Sequence, residues 1–170
     1  FGQAVVGDNR GGAGGTLGGM TVARARPDGC TLLVANTAQT FAPVVYAESG
    51  FDLQRDFAPV SAIAKVPVSL VVNPAKLDVK DLAGFLAAAR KAPGAINIGS
   101  SGLGTMPHLA IELLQQRAGI VLTHVPYRGG GPALQDLLSG QLDATFQPLS
   151  TVASYVQSGR LRALAVASAT

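Results

Sequence analysis

The sequence predicts an α/β fold, and three features carry that prediction. Of its 170 residues 48% are apolar, enough to bury a core, and only 14% are charged, too few for a solvated coiled coil. Glycine is abundant, at 21 residues, and recurs where one periodic segment gives way to the next. From about residue 96 onward, short runs of strand character alternate with segments of helical spacing.

Taken in order, residues 4–7 read as a strand, after which a glycine-rich turn at 9–15 opens a helix reaching about Arg26. Pro27-Asp28-Gly29 stops that helix. Residues 31–35 form a continuous apolar run of strand length, and Asn36-Thr37 at its end has the chemistry to cap a short helix. The runs at 57–63 and 66–73, rich in Val and Ile, read as two consecutive strands. Over 81–91, Leu82, Phe85, Leu86 and Ala89 fall at i, i+3, i+4 and i+7, one buried helical face, and Pro93-Gly94 ends it.

The remainder is regular: strand 96–99, helix 106–118, strand 121–126, helix 132–139, strand 142–147, helix 150–158 and strand 161–167. This βαβαβαβ order implies parallel strands with helices on both faces of the sheet. Ligands of such sheets sit at the carboxyl ends of the strands. The change of rhythm at 93–97 divides the chain into a partial first lobe, 1–96, and a second lobe, 97–170.

Composition excludes several functions. The formal net charge of +3 comes from Lys and Arg scattered singly, a mild attraction for anions and not a phosphate-tracking stripe. With no Trp and three Tyr, none alternating with basic residues, no stacking groove exists and no nucleic-acid partner is expected. Cys30 is alone, so neither an internal disulfide nor a thiolate metal cluster can form, and it reads as a small buried hydrophobe beside the run at 31–35. No apolar stretch reaches the roughly 18 residues that a membrane span needs, so direct membrane insertion is not expected. The first ten residues lack the basic start and apolar centre of a signal peptide, which a mature secreted protein would lack as well.

The sharpest local signal is Gly99-Ser100-Ser101-Gly102-Leu103-Gly104-Thr105, running from the end of a strand into the first turn of a helix. Amides without intrahelical partners, the positive end of the helix dipole and glycines that admit close approach all favour an anion there. Ser100, Ser101 and Thr105 add hydroxyls, and Thr105 is a candidate N-cap with Pro107 in the first turn. The plain alternative is that these residues only cap the helix. Nucleotide fingerprints fail: no Lys follows Gly102 or Gly104, and Leu17 stands where a dinucleotide loop beginning at Gly12 needs its third glycine. No cofactor is therefore expected.

Tyr127-Arg128-Gly129-Gly130-Gly131-Pro132 is a second loop between strand and helix, whose Arg128 is either a charge-assisted partner for a carboxylate or a solvated loop residue. Arg10 carries the same ambiguity. His108 and His124 have no close sequence partner to make a metal site, and they read as packing or hydrogen-bonding residues. Gly-x-Ser-x-Gly is absent around Ser100, so no catalytic residues are assigned. An α/β enzyme taking a phosphorylated small molecule at 99–105 is the competing reading. A regulator's effector domain would need an upstream helix-turn-helix that this chain does not supply.

Asn9-Arg10-Gly11-Gly12-Ala13-Gly14-Gly15 resembles the Asn-Arg-Pro-Gly-Ala-Gly-Gly signature of the substrate-binding proteins of tripartite tricarboxylate transporters, the Bug family. Pro27-Asp28-Gly29-Cys30-Thr31, Asp56-Phe57-Ala58-Pro59-Val60, Leu70-Val71-Val72-Asn73-Pro74, His124-Val125-Pro126-Tyr127-Arg128-Gly129 and Gly159-Arg160-Leu161-Arg162-Ala163-Leu164 follow in family order over the whole chain. The resemblance implies a type II periplasmic-binding fold of two lobes with mainly parallel sheets, closing on a small organic carboxylate. It also implies periplasmic localisation and delivery of that acid to the membrane components of the transporter. Ligand contact is carried over first to Ser100, Ser101, Gly102 and Thr105, then to Asn36 and Thr37 in the first lobe and to Gly130 and Gln147 in the second.

Three positions depart from the family pattern: Gly11 replaces Pro, Cys30 replaces Tyr, and Gln147 stands where many members have Asp. A neutral amide at 147 changes which second group of a ligand is accepted, if that position touches ligand. Family members also begin with a further strand and glycine-rich loop and run on past the position of Thr170. The fold is therefore expected to be incomplete at both ends, with strand edges open beside 4–7 and 31–35.

Overall fold

The computed structural model describes residues 2–46 and 50–168. A 3-10 turn, Ala13–Gly15, leads into α1 (Thr16–Ala23) and, after an extended stretch, α2 (Thr37–Val45). Then come β1 (Val68–Val72), α3 (Leu82–Lys91), β2 (Asn97–Ser100), α4 (Met106–Ala118), β3 (Thr123–Pro126), α5 (Gly130–Ser139), β4 (Ala144–Pro148), α6 (Leu149–Gln157) and β5 (Arg162–Val166).

The strands form one sheet in the order β3-β2-β4-β1-β5. β2 runs parallel to β3 and to β4, whereas β1 runs antiparallel to both β4 and β5, so the four strands after residue 96 share a direction and β1 opposes them. That insertion corrects the expected division at 96/97. The run at 66–73 belongs to the same sheet as residues 97–168, because β1 lies between β4 and β5 and makes hydrogen-bonded ladders with each.

Both faces of the sheet are covered, which explains why β1 is apolar on both sides apart from the buried Ser69. Alternation along it sends Leu70 and Val72 into a core with Phe85 and Ala89 of α3, Ile98 of β2, Ile111 of α4 and Phe146 of β4. Val71 points the other way, into a core with Ala133, Leu134 and Leu137 of α5, Leu142, Val152 of α6 and Leu161. The helices stop where their ends are satisfied. Asp81 caps α3 by accepting the Gly84 N–H at 2.8 Å, and Arg90 in its last turn donates to the Ala118 carbonyl at 3.1 Å. α4 and α5 close on Gly119 and Gly140, both in the left-handed region that glycine adopts without strain.

The expected strands at 4–7, 31–35 and 57–63 do not form. Val5, Val6, Leu32, Val34, Val60 and Ile63 are all exposed, and a strand exists only by pairing; among the described residues these segments have no ladder partner. Cys30 is exposed for the same reason: with no strand at 31–35 nothing packs over it, and its N–H donates to Asp28 Oδ1 in a local turn. The helix expected to reach Arg26 ends at Ala23.

Candidate functional site

Three glycine-rich segments, 11–15, 101–105 and 127–131, meet beyond the carboxyl ends of β2 and β3 and line a cleft of about 760 Å³. Sheet pairing brings two of them together. Past the Ser100–Pro126 register the ladder continues into the loops, with the Tyr127 N–H on the Ser100 carbonyl at 3.0 Å and the Gly129 N–H on the Ser101 carbonyl at 3.2 Å. Gly102, at φ 126°, lies so near this strand that a Cβ would sit 3.1 Å from the Tyr127 carbonyl oxygen, which demands glycine.

The N-terminal helices reach the same loop. A Cβ on Gly104, whose φ is +70°, would lie 2.8 Å from both methyls of Val45 in α2, and the Tyr46 hydroxyl donates to the Leu103 carbonyl at 2.8 Å. Burial raises the pKa of Tyr46, so that hydroxyl keeps its proton. Residues 11–15, Asn36, Thr37 and Ala38 thereby face the loops of the sheet across the cleft.

Of the eight residues assigned from the sequence, Ser101, Gly102, Thr105, Asn36, Thr37, Gly130 and Gln147 line the cleft. Ser100 does not. It is 0% exposed beneath the loop, where its Oγ accepts the Gly102 N–H at 3.2 Å and lies 2.7 Å from His124 Nε2. With Nε2 protonated, Oγ accepts two bonds and has its own hydrogen for the Gly102 carbonyl at 3.3 Å, so its hydrogen-bonding capacity is filled within the protein.

Thr105 occupies the N-cap position of α4, yet its hydroxyl turns back to donate to the Gly102 carbonyl at 2.6 Å and caps nothing. The Gly104 N–H goes to His108 Nδ1 at 3.1 Å. The first-turn amides of Met106 and His108 then have no acceptor among the described residues, and Met106 and Pro107 border the cleft. That leaves partial positive charge at the start of a helix of 13 residues. On the opposite wall Asn36 holds the start of α2: its Oδ1 accepts the Ala38 N–H at 2.8 Å, and Gln39 Oε1 accepts the Asn36 N–H at 2.9 Å.

Arg128, one of the ambiguous cations, is exposed on the cleft wall and is the only formally charged residue among those lining it. It makes no hydrogen bond or ion pair among the described residues. Arg10, by contrast, is engaged by Asp8 at 2.9 Å. Tyr127 fixes the loop before Arg128 by donating to Asp136 Oδ2 at 2.6 Å; burial foremost, and then this bond, push its pKa up to about 12.

The fold also pairs two histidines that the sequence shows only as separate residues. His108 on α4 and His124 on β3 stack with ring centroids 4.5 Å apart and planes 23° from parallel, and Glu112 lies 3.8 Å from His108 Nε2. Burial first, and the neighbouring His108 second, lower the pKa of His124, against a weaker pull from Glu112. Ligand atoms of His108, Glu112 and His124 lie within 4.8 Å of one another, but an imidazole binds a metal in its ring plane, and stacked, nearly parallel rings do not aim two lone pairs at one point. As folded, the pair serves the loop: His108 holds Gly104 and His124 holds Ser100.

The family model described as tripartite tricarboxylate transporter family receptor matches residues 1–170. The chain belongs to this family. A curated relative is protein BugT of Bordetella pertussis, 38% identical over 173 residues, covering 99% of this chain and 52% of BugT. Solved structures similar to it include the periplasmic binding protein BugD (TM-score 0.90, 30% identity, 96% of this chain and 54% of that one). Another is R. palustris Rpa4515 with adipate (TM-score 0.94, 35% identity, 100% of this chain and 57% of that one). The fold is thus the mixed α/β fold of periplasmic binding proteins, as the motifs imply, and the chain spans about half the length of the curated relatives it matches.

Proposed function

We propose that this receptor-family chain forms the greater part of a cleft that captures a small organic carboxylate in the periplasm and presents it to the membrane components of a tripartite tricarboxylate transporter. The observation that carries the reading is the cleft's electrostatics: first-turn amides of α4 without acceptors, glycine-rich backbone on three sides, and Arg128 as the single formal charge of the lining. One carboxylate is neutralised by such a set, through amides, hydroxyls and one guanidinium. The adipate held by Rpa4515 supports the ligand class.

An enzyme acting at Ser100 is disfavoured by geometry. Ser100 and His124 lie 2.7 Å apart, as a nucleophile and base would, but the hydroxyl is fully buried beneath the loop and already bonded, out of reach of a substrate in the cleft. A phosphate dianion in place of the carboxylate would meet a single cation where two charges need neutralising. The test is a thermal-shift panel of mono- and dicarboxylates against phosphate monoesters, on the full-length protein. At least one carboxylate raises the melting temperature in a saturable way. Stabilisation by phosphate esters alone, or by none of the panel, refutes the reading.

A further inference from the structure

The geometry points to Gln147 as the residue that selects the ligand's second polar group. We infer that it requires a hydrogen-bond donor there, a hydroxyl, ammonium or amide, in preference to a second carboxylate. This inference rests on the carboxylate-receptor reading above and adds the class of acid.

Gln147 sits on β4 opposite Ser69 of β1, and the Ser69 hydroxyl donates to its main-chain carbonyl at 3.2 Å. The residue is only 2% exposed, yet it borders the cleft. Its amide has a fixed sense. Nε2 donates to the Gly130 carbonyl at 3.0 Å, and turning the amide over would set two carbonyl oxygens against each other.

Oε1 is therefore the open end. No donor to it exists among the described residues, and the buried side-chain polar atom left sealed off without a partner is Thr16 Oγ1, not this one. An acceptor held in place at the edge of the cleft needs a hydrogen, which water supplies when no ligand is present. A ligand that displaces the water must bring a hydrogen of its own.

A carboxylate oxygen would bring only lone pairs to that point. Among the lining residues from the sheet and its flanks, Val66, Val68, Phe146 and Ala167 carry no polar side chain, and the side-chain donor that α6 adds to the lining is the single hydroxyl of Thr151. A second carboxylate would also find no second cation, because Arg128 alone is charged among the lining residues. The acceptor at Gln147 and the single charge at Arg128 are independent features: the first favours a donor-bearing substituent, the second a single carboxylate.

The experiment is isothermal titration of the full-length protein with sets of acids matched in length, three to six carbons. Each set contains the ω-hydroxy acid, the ω-amino acid and the dicarboxylate, measured on wild type, Gln147→Met and Gln147→Glu. In the wild type a donor-bearing acid binds at least about tenfold more tightly than the dicarboxylate of its length, the worth of one well-placed hydrogen bond against an unpaired acceptor. Gln147→Met reduces that ratio to about twofold or less, and Gln147→Glu shifts preference from the hydroxy acid to the amino acid. Dicarboxylates binding as tightly as their donor-bearing partners overturn the inference in the wild type alone, whether or not the variants fold. A ratio unmoved in a cooperatively folded Gln147→Met also overturns it, with the receptor reading intact. If no carboxylate of any length binds, both readings fall together.

Discussion

Ser100→Ala separates the two roles open to this serine, since the sequence places it at the ligand and the structure places it beneath the loop. Removing Oγ leaves the buried Gly102 N–H without its 3.2 Å acceptor and His124 Nε2 without its 2.7 Å partner. An amide left unpaired in the interior costs about 1–3 kcal/mol, while His124, only partly buried, can turn to water. The expected loss is therefore about 2 kcal/mol, or a melting temperature lower by roughly 4–8 °C for a protein of ordinary domain size. The assay pairs calorimetric unfolding with ligand titration on the same samples, well below the transition. Affinity should change by less than about threefold, because Ser100 touches nothing in the cleft. Unfolding energetics within about 0.5 kcal/mol of wild type, combined with a tenfold loss of affinity, would refute the assignment and return the hydroxyl to the ligand.

Gly104→Ala tests how α2 is docked onto the loop. The left-handed backbone at φ +70° costs a side chain about 1–2 kcal/mol, and the two Val45 methyls at 2.8 Å must also yield, so stability and ligand affinity should fall together; a neutral substitution would mean that the loop and α2 are not in contact. The lowered pKa of His124 sets a pH dependence. The unfolded chain takes up a proton near pH 6.5 that the folded chain refuses, so this contribution to stability is complete above about pH 6.5 and is lost as the pH falls towards the folded value. Urea midpoints measured from pH 8 to 5 should show this decline in wild type and less of it in His124→Gln, whereas parallel profiles would contradict it.

Legibility differs between the two halves for a physical reason. α4 follows its expected bounds because a proline in its first turn and a glycine after its last are local signals of start and stop. The strands at 4–7, 31–35 and 57–63 were equally apolar but needed partners, and pairing is not written in the segment that seeks it. The run at 66–73 does pair, although its antiparallel placement between β4 and β5 follows from the path of the whole chain and not from its own residues. At the site, the glycine loop at 99–105 announces the start of α4, which the structure bears out. Strand phase decides which of the two adjacent serines meets the cleft: neighbouring side chains point to opposite sides, and it is Ser101 that lines the cleft while Ser100 faces His124. The histidine stack joins α4 to β3, a contact that no local pattern encodes.

If the chain binds a carboxylate as proposed, the insertion of β1 also accounts for capture and selection falling on different parts of the molecule. Amides, glycines and Arg128 belong to loops beyond the strand ends, where backbone can be exposed to an anion without disturbing a core. Gln147 belongs to the sheet itself: its main chain is in register with Ser69, its Ser69 bond is buried, and its neighbour Phe146 fills the core with Leu70. On the proposed reading a change in the loops alters chiefly how tightly a carboxylate is held, Arg128 excepted, since its single charge also bears on how many carboxylates are accepted. A change at 147 replaces the only hydrogen-bonding side chain that β4 presents to the cleft, and on the proposed reading it alters which acid fits.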